Sequence, residues 1–278
     1  MSSTQNHSMS CFTKDWEPEY RYRGVQLKAG APHLNQCLAA VNDAPKYQKW
    51  IDDFFEQGQI DIKSFTLTDV NWFGPVLPDR LGFFKGVGEI YEAGTTIPVP
   101  SNIAFCRGGC VSCLVVCIAI IDGVMKKLVP LTEQLRFPSG GKRQEAMAGM
   151  LDASTRDWKG PVVKELEEEF GIKIAESDHR LQRLPGKKAW PSPGGCDEAI
   201  DLFYLELDIT QEQYADMSTR VYGDGNDEKI RIRFYDYATF DETLNEIGDF
   251  KAGEMWRRYQ WLKQQQRRDA FNSLVARL

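Results

Sequence analysis

The sequence predicts a mixed α/β fold, a mixed β-sheet sandwiched between helices and preceded by a small helix-plus-β unit. Three observations predict it. VSCLVVCIAII (111–121) is an unbroken apolar run of strand length, the pattern of a strand buried on both faces. IDLFYLEL (200–207) and KIRIRFYDY (229–237) read as further strands, the second by its alternation. Between and after them, 162–170 and 253–269 repeat apolar residues at helical spacing. Strands interleaved with two or three helices specify a sheet covered on its faces.

In chain order, residues 1–33 are polar with glycine and proline and are expected to be a flexible arm. Residues 34–97 form the expected N-terminal subdomain. Its helical pattern over 34–57 is broken near Pro45 and carries Tyr47, Trp50, Ile51, Phe54 and Phe55 on one stripe. IKSFTLTDV (62–70) and RLGFFKGVGEIYEAG (80–94) alternate as strands. Residues 98–270 form the main domain. Beyond the apolar run, KKLVPLTEQLRF (126–137) and QEAMAGM (144–150) are strand candidates, and KKAWPSPGGCDE (187–198) is a Pro/Gly-rich loop. GEMWRRYQWLKQQQRRD (253–269) is an amphipathic helix with Trp256, Tyr259 and Trp261 in its register. Residues 271–278 are a short tail.

The bulk numbers exclude several function classes. A chain of 278 residues with 42% hydrophobic residues can bury a sizeable core. A formal net charge of −6 argues against nucleic acid as partner, because phosphate backbones need a basic footprint. No apolar run reaches transmembrane length, so no membrane partner is expected. The N-terminal residues carry no secretory pattern, so the seven cysteines are read as reduced thiols of an intracellular protein. Ala276-Arg277-Leu278 is a relaxed form of the Ser-Lys-Leu peroxisomal address; the expected location is cytoplasm or a peroxisome-like organelle.

The chemistry centres on VVKELEEEFGI (162–172). On a helix, Glu165, Glu168 and Glu169 share a face at i, i+3 and i+4, while Glu167 points elsewhere. Val162, Leu166 and Phe170 supply the adjacent apolar stripe, and Gly171 sits where a left-handed C-cap belongs. Convergent carboxylates make an oxygen-rich site for a hard cation such as Mg²⁺; taken alone, the run reads better as a solvated acidic face, and the surrounding sequence reverses that. The four cysteines of CRGGCVSCLVVC (106–117) lie mostly inside the apolar strand, where cysteine acts as a small hydrophobe.

Lys164-Glu165-Leu166-Glu167-Glu168-Glu169-Phe170-Gly171-Ile172 resembles the second half of the Nudix box, Arg-Glu-U-any-Glu-Glu-any-Gly-U with U aliphatic. Lys164 replaces the arginine. In the first half, the spacer from Gly149 is one residue longer than the family pattern and lacks its glutamate, Asp157 being the nearest acid. GMLDASTRDWKGPVVKELEEEFGIKI, LTEQLRFP (131–138), EAMAGM (145–150), SPGGCDE (192–198), LGFFKG near 81 and FCRGG at 105 together resemble the ADP-sugar diphosphatase branch, over about residues 34 to 268.

The resemblance implies Mg²⁺, with Mn²⁺ as an alternative, held by Glu165, Glu169, the backbone carbonyl of Ala148, and Glu168 directly or through water. It implies Glu198 as general base, with Asp197 as its neighbouring rival, and two preceding glycines giving the loop room to move. It implies diphosphate contacts from Arg107 and Arg136, a supporting role for Glu145, and stacking on adenine by Trp72 and Phe73. The expected reaction is Mg²⁺-dependent hydrolysis of ADP-ribose or ADP-glucose to AMP and a sugar phosphate, in a homodimer. The alternatives are another diphosphate (UDP-glucose, NADH or CoA) and a non-catalytic nucleotide-sugar-binding protein. The stripe from Trp50 to Phe55 suits a dimer interface or an intrachain core equally.

Overall fold

The computed structural model describes residues 19–151, 158–223 and 229–277. Asp157, the first part of the expected arm and Leu278 lie outside the described residues.

The first unit contains β1 (Tyr20–Tyr22), β2 (Val25–Ala29), α1 (Leu38–Asn42), α2 (Pro45–Gln57), β3 (Ile60–Trp72), β4 (Leu81–Glu92) and β5 (Ile103–Cys106). Its sheet has the order β1-β2-β3-β4-β5. The helical stretch breaks at Asp43 and Ala44, and Pro45 opens α2 at a position where its missing N–H costs nothing. Gly58 ends α2 in the left-handed region at φ 63°.

The stripe on α2 covers a core within the chain. Tyr47 and Ile51 are buried, and the Trp50 ring lies 4.8 Å from Phe65 and 5.6 Å from Phe84. Gly86 makes this packing possible: a Cβ there would stand 2.3 Å from Cζ of Phe65. Phe55 falls off the stripe, 45% exposed, with the Arg23 guanidinium over its ring at 4.3 Å. The unit also reaches past the expected boundaries. β1 and β2 lie inside the segment read as an arm, and β5, beyond residue 97, pairs with β4. Strands this short display too little alternation to be read from sequence.

The second unit contains β6 (Cys110–Ile121), β7 (Val124–Arg136), β8 (Gly141–Glu145), β9 (Ala148–Met150), α3 (Lys159–Phe170), β10 (Leu181–Arg183), β11 (Ile200–Ile209), α4 (Gln211–Thr219), β12 (Val221–Tyr222), β13 (Ile230–Asp236), α5 (Phe240–Ile247) and α6 (Phe250–Val275). Its sheet runs β10-β11-β6-β7-β13-β12, with β8 on β7 and β9 on β6. β11 and β6 are parallel and their other neighbours antiparallel, so the sheet is mixed as expected.

β6 explains its own sequence. Cys110 through Cys117 are buried without a break because helices cover both faces. Val111, Cys113, Val115 and Cys117 pack in the core that holds Val162, Leu166 and Phe170 of α3. Cys110, Leu114 and Val116 pack in the core that holds Met255, Trp256 and Tyr259 of α6. Each such large side chain contributes about 1.5–3 kcal/mol by its burial. Cys113 and Cys117 face the α3 core and Cys110 the α6 core as small apolar residues, and burial pushes the thiols of Cys110 and Cys117 up to about 12.

Two helices beyond the expected set, α4 and α5, complete the sandwich. α4 starts at a capping box in which Gln213 N–H donates to Thr210 Oγ1 and Thr210 N–H to Gln213 Oε1. On α6, Trp256 and Tyr259 are buried one turn apart, but Trp261 is 51% exposed. Two residues beyond Tyr259 is the opposite side of a helix, so Trp261 does not share their register. Among the described residues no helix is long and apolar enough to cross a membrane.

Candidate active site

The acidic helix is fixed on the sheet from its apolar side. Val162, Leu166 and Phe170 bury onto β6. Gly171 at φ 68° stops α3, its N–H donating to the carbonyl of Glu167 at 3.0 Å, and Ile172 N–H donates to that of Leu166 at 2.9 Å. A Cβ at Gly171 would also come within 2.8 Å of the Tyr222 ring.

With that stripe set, Glu165 and Glu169 fall one turn apart on the face toward β9. Glu169 is only 4% exposed. Glu165 lies directly over Gly149: a Cβ on Gly149 would stand 2.1 Å from Oε1 of Glu165. Gly149 is thus a cradle for a carboxylate, and Ala148 precedes it on β9. Glu167 is exposed and pairs with Lys173 at 2.8 Å, clear of the site.

Glu168 departs from the expected convergence. Its Oε2 lies 3.5 Å from Nζ of Lys164, one turn back, which draws the carboxylate along the helix flank. Among the described residues, no three carboxylate, cysteine or histidine groups are gathered to hold an ion as they stand. The donor set of Glu165, Glu168, Glu169 and the Ala148 carbonyl is all hard oxygen, however, and the glycine cradle leaves Glu165 room. By chemistry these residues fit a small divalent cation.

The second part of the site is the loop before β11. Asp197 accepts from the backbone N–H of Arg107 at 2.8 Å and of Gly108 at 3.1 Å, locking the turn that enters β6. Burial raises the Asp197 pKa against the opposing pull of those N–H groups. Glu198 points elsewhere. Its Oε1 lies 3.3 Å from Nη1 of Arg107 and accepts from Sγ of Cys110 at 3.5 Å. The two neighbouring acids are thereby distinguished: Asp197 is bound to backbone, and Glu198 faces a guanidinium and a thiol.

This loop is tied down where freedom was expected. Phe105 N–H donates to Gly195 O at 2.8 Å, and Ser101 Oγ to Gly194 O at 3.2 Å. The carbonyls of both glycines are therefore stitched to β5 and to the segment leading into it.

A third group surrounds Arg136 at the end of β7. Its Nε donates to Oε1 of Glu145 at 2.6 Å, while Nζ of Lys251 donates to Oε2 of Glu145 at 2.9 Å. Asp249 caps α6 by accepting from Ala252 N–H at 2.9 Å, and accepts from Ala146 N–H at 3.0 Å. Burial works to raise the Glu145 pKa, but Arg136 and Lys251 outweigh it and hold it below the usual range. Glu145 therefore holds Arg136. Sequence reading missed Asp249 and Lys251; an aspartate just ahead of an amphipathic helix is an N-cap signal, whereas Lys251 gave none.

Trp72 and Phe73 stand apart from these groups. Trp72 packs against the core of the first unit. Phe73 is 51% exposed, its ring edge-on to Phe83 at 5.3 Å.

Register joins the first two parts. Cys110, which donates to Glu198, pairs with Met150, and Val111 pairs with Gly149, which cradles Glu165. The start of β6 therefore brings the glutamate helix and the Arg107–Glu198 pair together.

No family model matches the chain. It is 30% identical over 249 residues to Nudix hydrolase 14, chloroplastic, of Arabidopsis thaliana, an alignment covering 85% of this chain and 77% of that protein.

Proposed function

Because the chain belongs to the Nudix hydrolase family, we propose that it hydrolyses the diphosphate bond of an ADP-sugar, ADP-ribose or ADP-glucose, releasing AMP and the sugar phosphate. One observation carries this reading. The start of β6 joins a cradled carboxylate helix, which can hold a cation, to an arginine–glutamate pair, which can bind a phosphate and accept a proton.

Glu165, Glu168, Glu169 and the Ala148 carbonyl would hold Mg²⁺, with Mn²⁺ as the alternative; when bound, the ion supplies charge neutralisation on the diphosphate and orientation of water. Glu198 takes the proton of the attacking water as its oxygen bonds to phosphorus and the bridging P–O bond breaks. Arg107 offers a guanidinium to the charge gathering on the phosphoryl oxygens. Arg136, held by Glu145 and half-exposed, offers a second one. The active form is proposed to be a homodimer.

The test is direct. Purified protein with Mg²⁺ is incubated with a panel of nucleoside diphosphate sugars, NADH and CoA, and AMP or phosphate release is measured. Release of AMP from an ADP-sugar is expected; no release from any member sinks the reading, and preference for another diphosphate moves the substrate. A second reading, binding without turnover, is favoured by the Lys164–Glu168 pair, which draws one carboxylate away. Calorimetric binding of ADP-ribose with no product formed would establish it.

A further inference from the structure

Lys46 is the second residue of α2, in the turn where the helix dipole disfavours a cation. Its surroundings offset that. Nζ donates to the carbonyl oxygen of Gly82 at 2.6 Å and to that of Arg107 at 3.2 Å. The rings of Phe83 and Phe73 lie 5.7 Å and 5.8 Å from the same nitrogen. The stem runs beside Gly108, where an added Cβ would stand 3.5 Å from Cε of Lys46. The side chain therefore ties β4 of the first unit to the turn that enters β6.

We propose that Lys46 is a positioning residue for the Arg107–Glu198 pair: with Asp197 it clamps the Arg107–Gly108 turn, so that the first unit sets where the guanidinium stands. The inference rests on the reading that this pair serves hydrolysis.

Three observations support it. First, the polar groups of the turn are divided between two opposite charges. Asp197 accepts from the N–H of Arg107 at 2.8 Å and of Gly108 at 3.1 Å, and Lys46 donates to the Arg107 carbonyl. The backbone around Arg107 is thus gripped from the loop before β11 and from α2. Second, the turn needs the grip. Gly108 stands at φ 86°, a conformation that glycine reaches freely and also leaves freely, so its own backbone does not hold it there. Third, the two clamps support each other. Burial raises the Asp197 pKa, and Lys46 pulls it down. An ionised carboxylate grips backbone N–H groups more strongly than a neutral carboxyl does. The other groups around Asp197 do not replace the lysine. The thiols of Cys106 on β5 and of Cys196 in its own loop are pushed up by burial and stay neutral. Glu198 and the Arg107 guanidinium are turned to each other.

The experiment follows the backbone amides of Arg107 and Gly108 by NMR in the isotope-labelled full-length protein as the pH is lowered. Parent, Lys46→Met and Lys46→Arg are compared, with kcat and KM measured on an ADP-sugar with Mg²⁺. Both amides are expected to respond at one midpoint, where Asp197 is protonated. Lys46→Met keeps the stem and removes the charge, so the midpoint should move to higher pH. Its kcat/KM should fall by up to about a hundredfold, the scale of a small misplacement of a reacting group. The acid limb of its pH profile should move with the amides, which lost packing alone would not cause. Lys46→Arg retains the charge and donors for both carbonyls, and should restore the midpoint and much of the rate. If Lys46→Met does not fold, Lys46→Gln, which keeps a donor without the charge, is expected to show the same upward shift. The proposal is overturned if the amide midpoint does not move in the uncharged variant; a fall in kcat/KM with the amides unmoved would mean that Lys46 acts on the substrate itself. It is equally overturned if Lys46→Arg restores neither midpoint nor rate. The hydrolysis reading fails separately: absent turnover of every diphosphate sugar removes it, while the amide midpoints still decide whether Lys46 holds the turn.

Discussion

Nη1 of Arg107 stands 3.3 Å from Oε1 of Glu198, the oxygen that also accepts from Sγ of Cys110. The proposed phosphate-binding cation and the proposed base therefore hold each other before substrate arrives. A phosphate competing for the guanidinium would release the carboxylate for proton transfer. Glu198→Gln keeps the shape and removes the basicity, so kcat should fall on the order of 10²–10⁴-fold with the melting temperature little changed. Arg107→Ala should lower kcat/KM, and Arg107→Lys should recover only part of it, because an ammonium lacks the planar fork. Steady-state kinetics on the three variants checks this; a Glu198→Gln protein with normal turnover would remove Glu198 from the mechanism.

Gly149 and Glu165 yield a second prediction. A Cβ on Gly149 would overlap Oε1, Cδ and Cγ of Glu165, all atoms of a side chain that can swing aside. Gly149→Ala should therefore fold with a modest loss of stability but displace a proposed metal ligand. The Mg²⁺ concentration for half-maximal activity should rise roughly tenfold or more, the scale on which groups behind a ligand tune metal affinity. Glu169→Gln, isosteric at a buried position, should remove most activity at any Mg²⁺ concentration. A Mg²⁺ titration unmoved in Gly149→Ala would show that Glu165 is not a ligand.

Lys164 is the one specified position of the box's second half that departs from the family pattern, and in the structure it takes up Glu168. The pair is largely exposed, so its contribution to stability is within about 0.5 kcal/mol. Its consequence lies in where the carboxylate points. Lys164→Ala frees Glu168 and should lower the Mg²⁺ requirement with no measurable change in urea stability. A raised requirement would mean instead that Lys164 orients Glu168 usefully, as the family's arginine does for its neighbours.

Much of this was legible in the residues. The unbroken burial of β6 from Cys110 to Cys117 was visible because two covered faces need apolar residues at every position, although Ile118 and Ile120 of the same apolar run are exposed; the stop of α3 was visible because Gly171 suits a left-handed cap. The spacing that set Glu167 apart from Glu165 and Glu169 follows from about 3.6 residues per turn, but the same spacing grouped Glu168 with them, and its pairing with Lys164 was not foreseen. What stayed hidden depends on distant contacts. β1 and β2 are too short to show a period. Trp261 looked like its aromatic neighbours until the angle around α6 was counted. The anchoring of Gly194 and Gly195 to Phe105 and Ser101 joins residues about ninety positions apart, and no local signal encodes it. Lys251 reaches Glu145 across a similar separation.

That last pair contributes to the pH dependence of stability. Glu145 is 8% exposed and bound by both Arg136 and Lys251, which hold its pKa below the ordinary value of 4.5. A carboxyl whose pKa is depressed on folding stabilises the fold above its unfolded pKa and loses that contribution as pH falls through the folded one. Unfolding free energy should therefore decline below about pH 4.5 as Glu145 is protonated. Asp197 works in the opposite sense, since burial raises its pKa and its protonation is easier in the folded state. Lys251→Met removes one partner from a buried carboxylate and should destabilise the protein by about 3 kcal/mol near neutral pH. In that variant burial meets less opposition, so Glu145 protonates at a higher pH and the gap from the parent narrows on acidification. Urea denaturation of both proteins from pH 7 to about 4 measures the gap directly. A gap that stays constant over that range would show that Lys251 stabilises through its packing and not through the charge on Glu145.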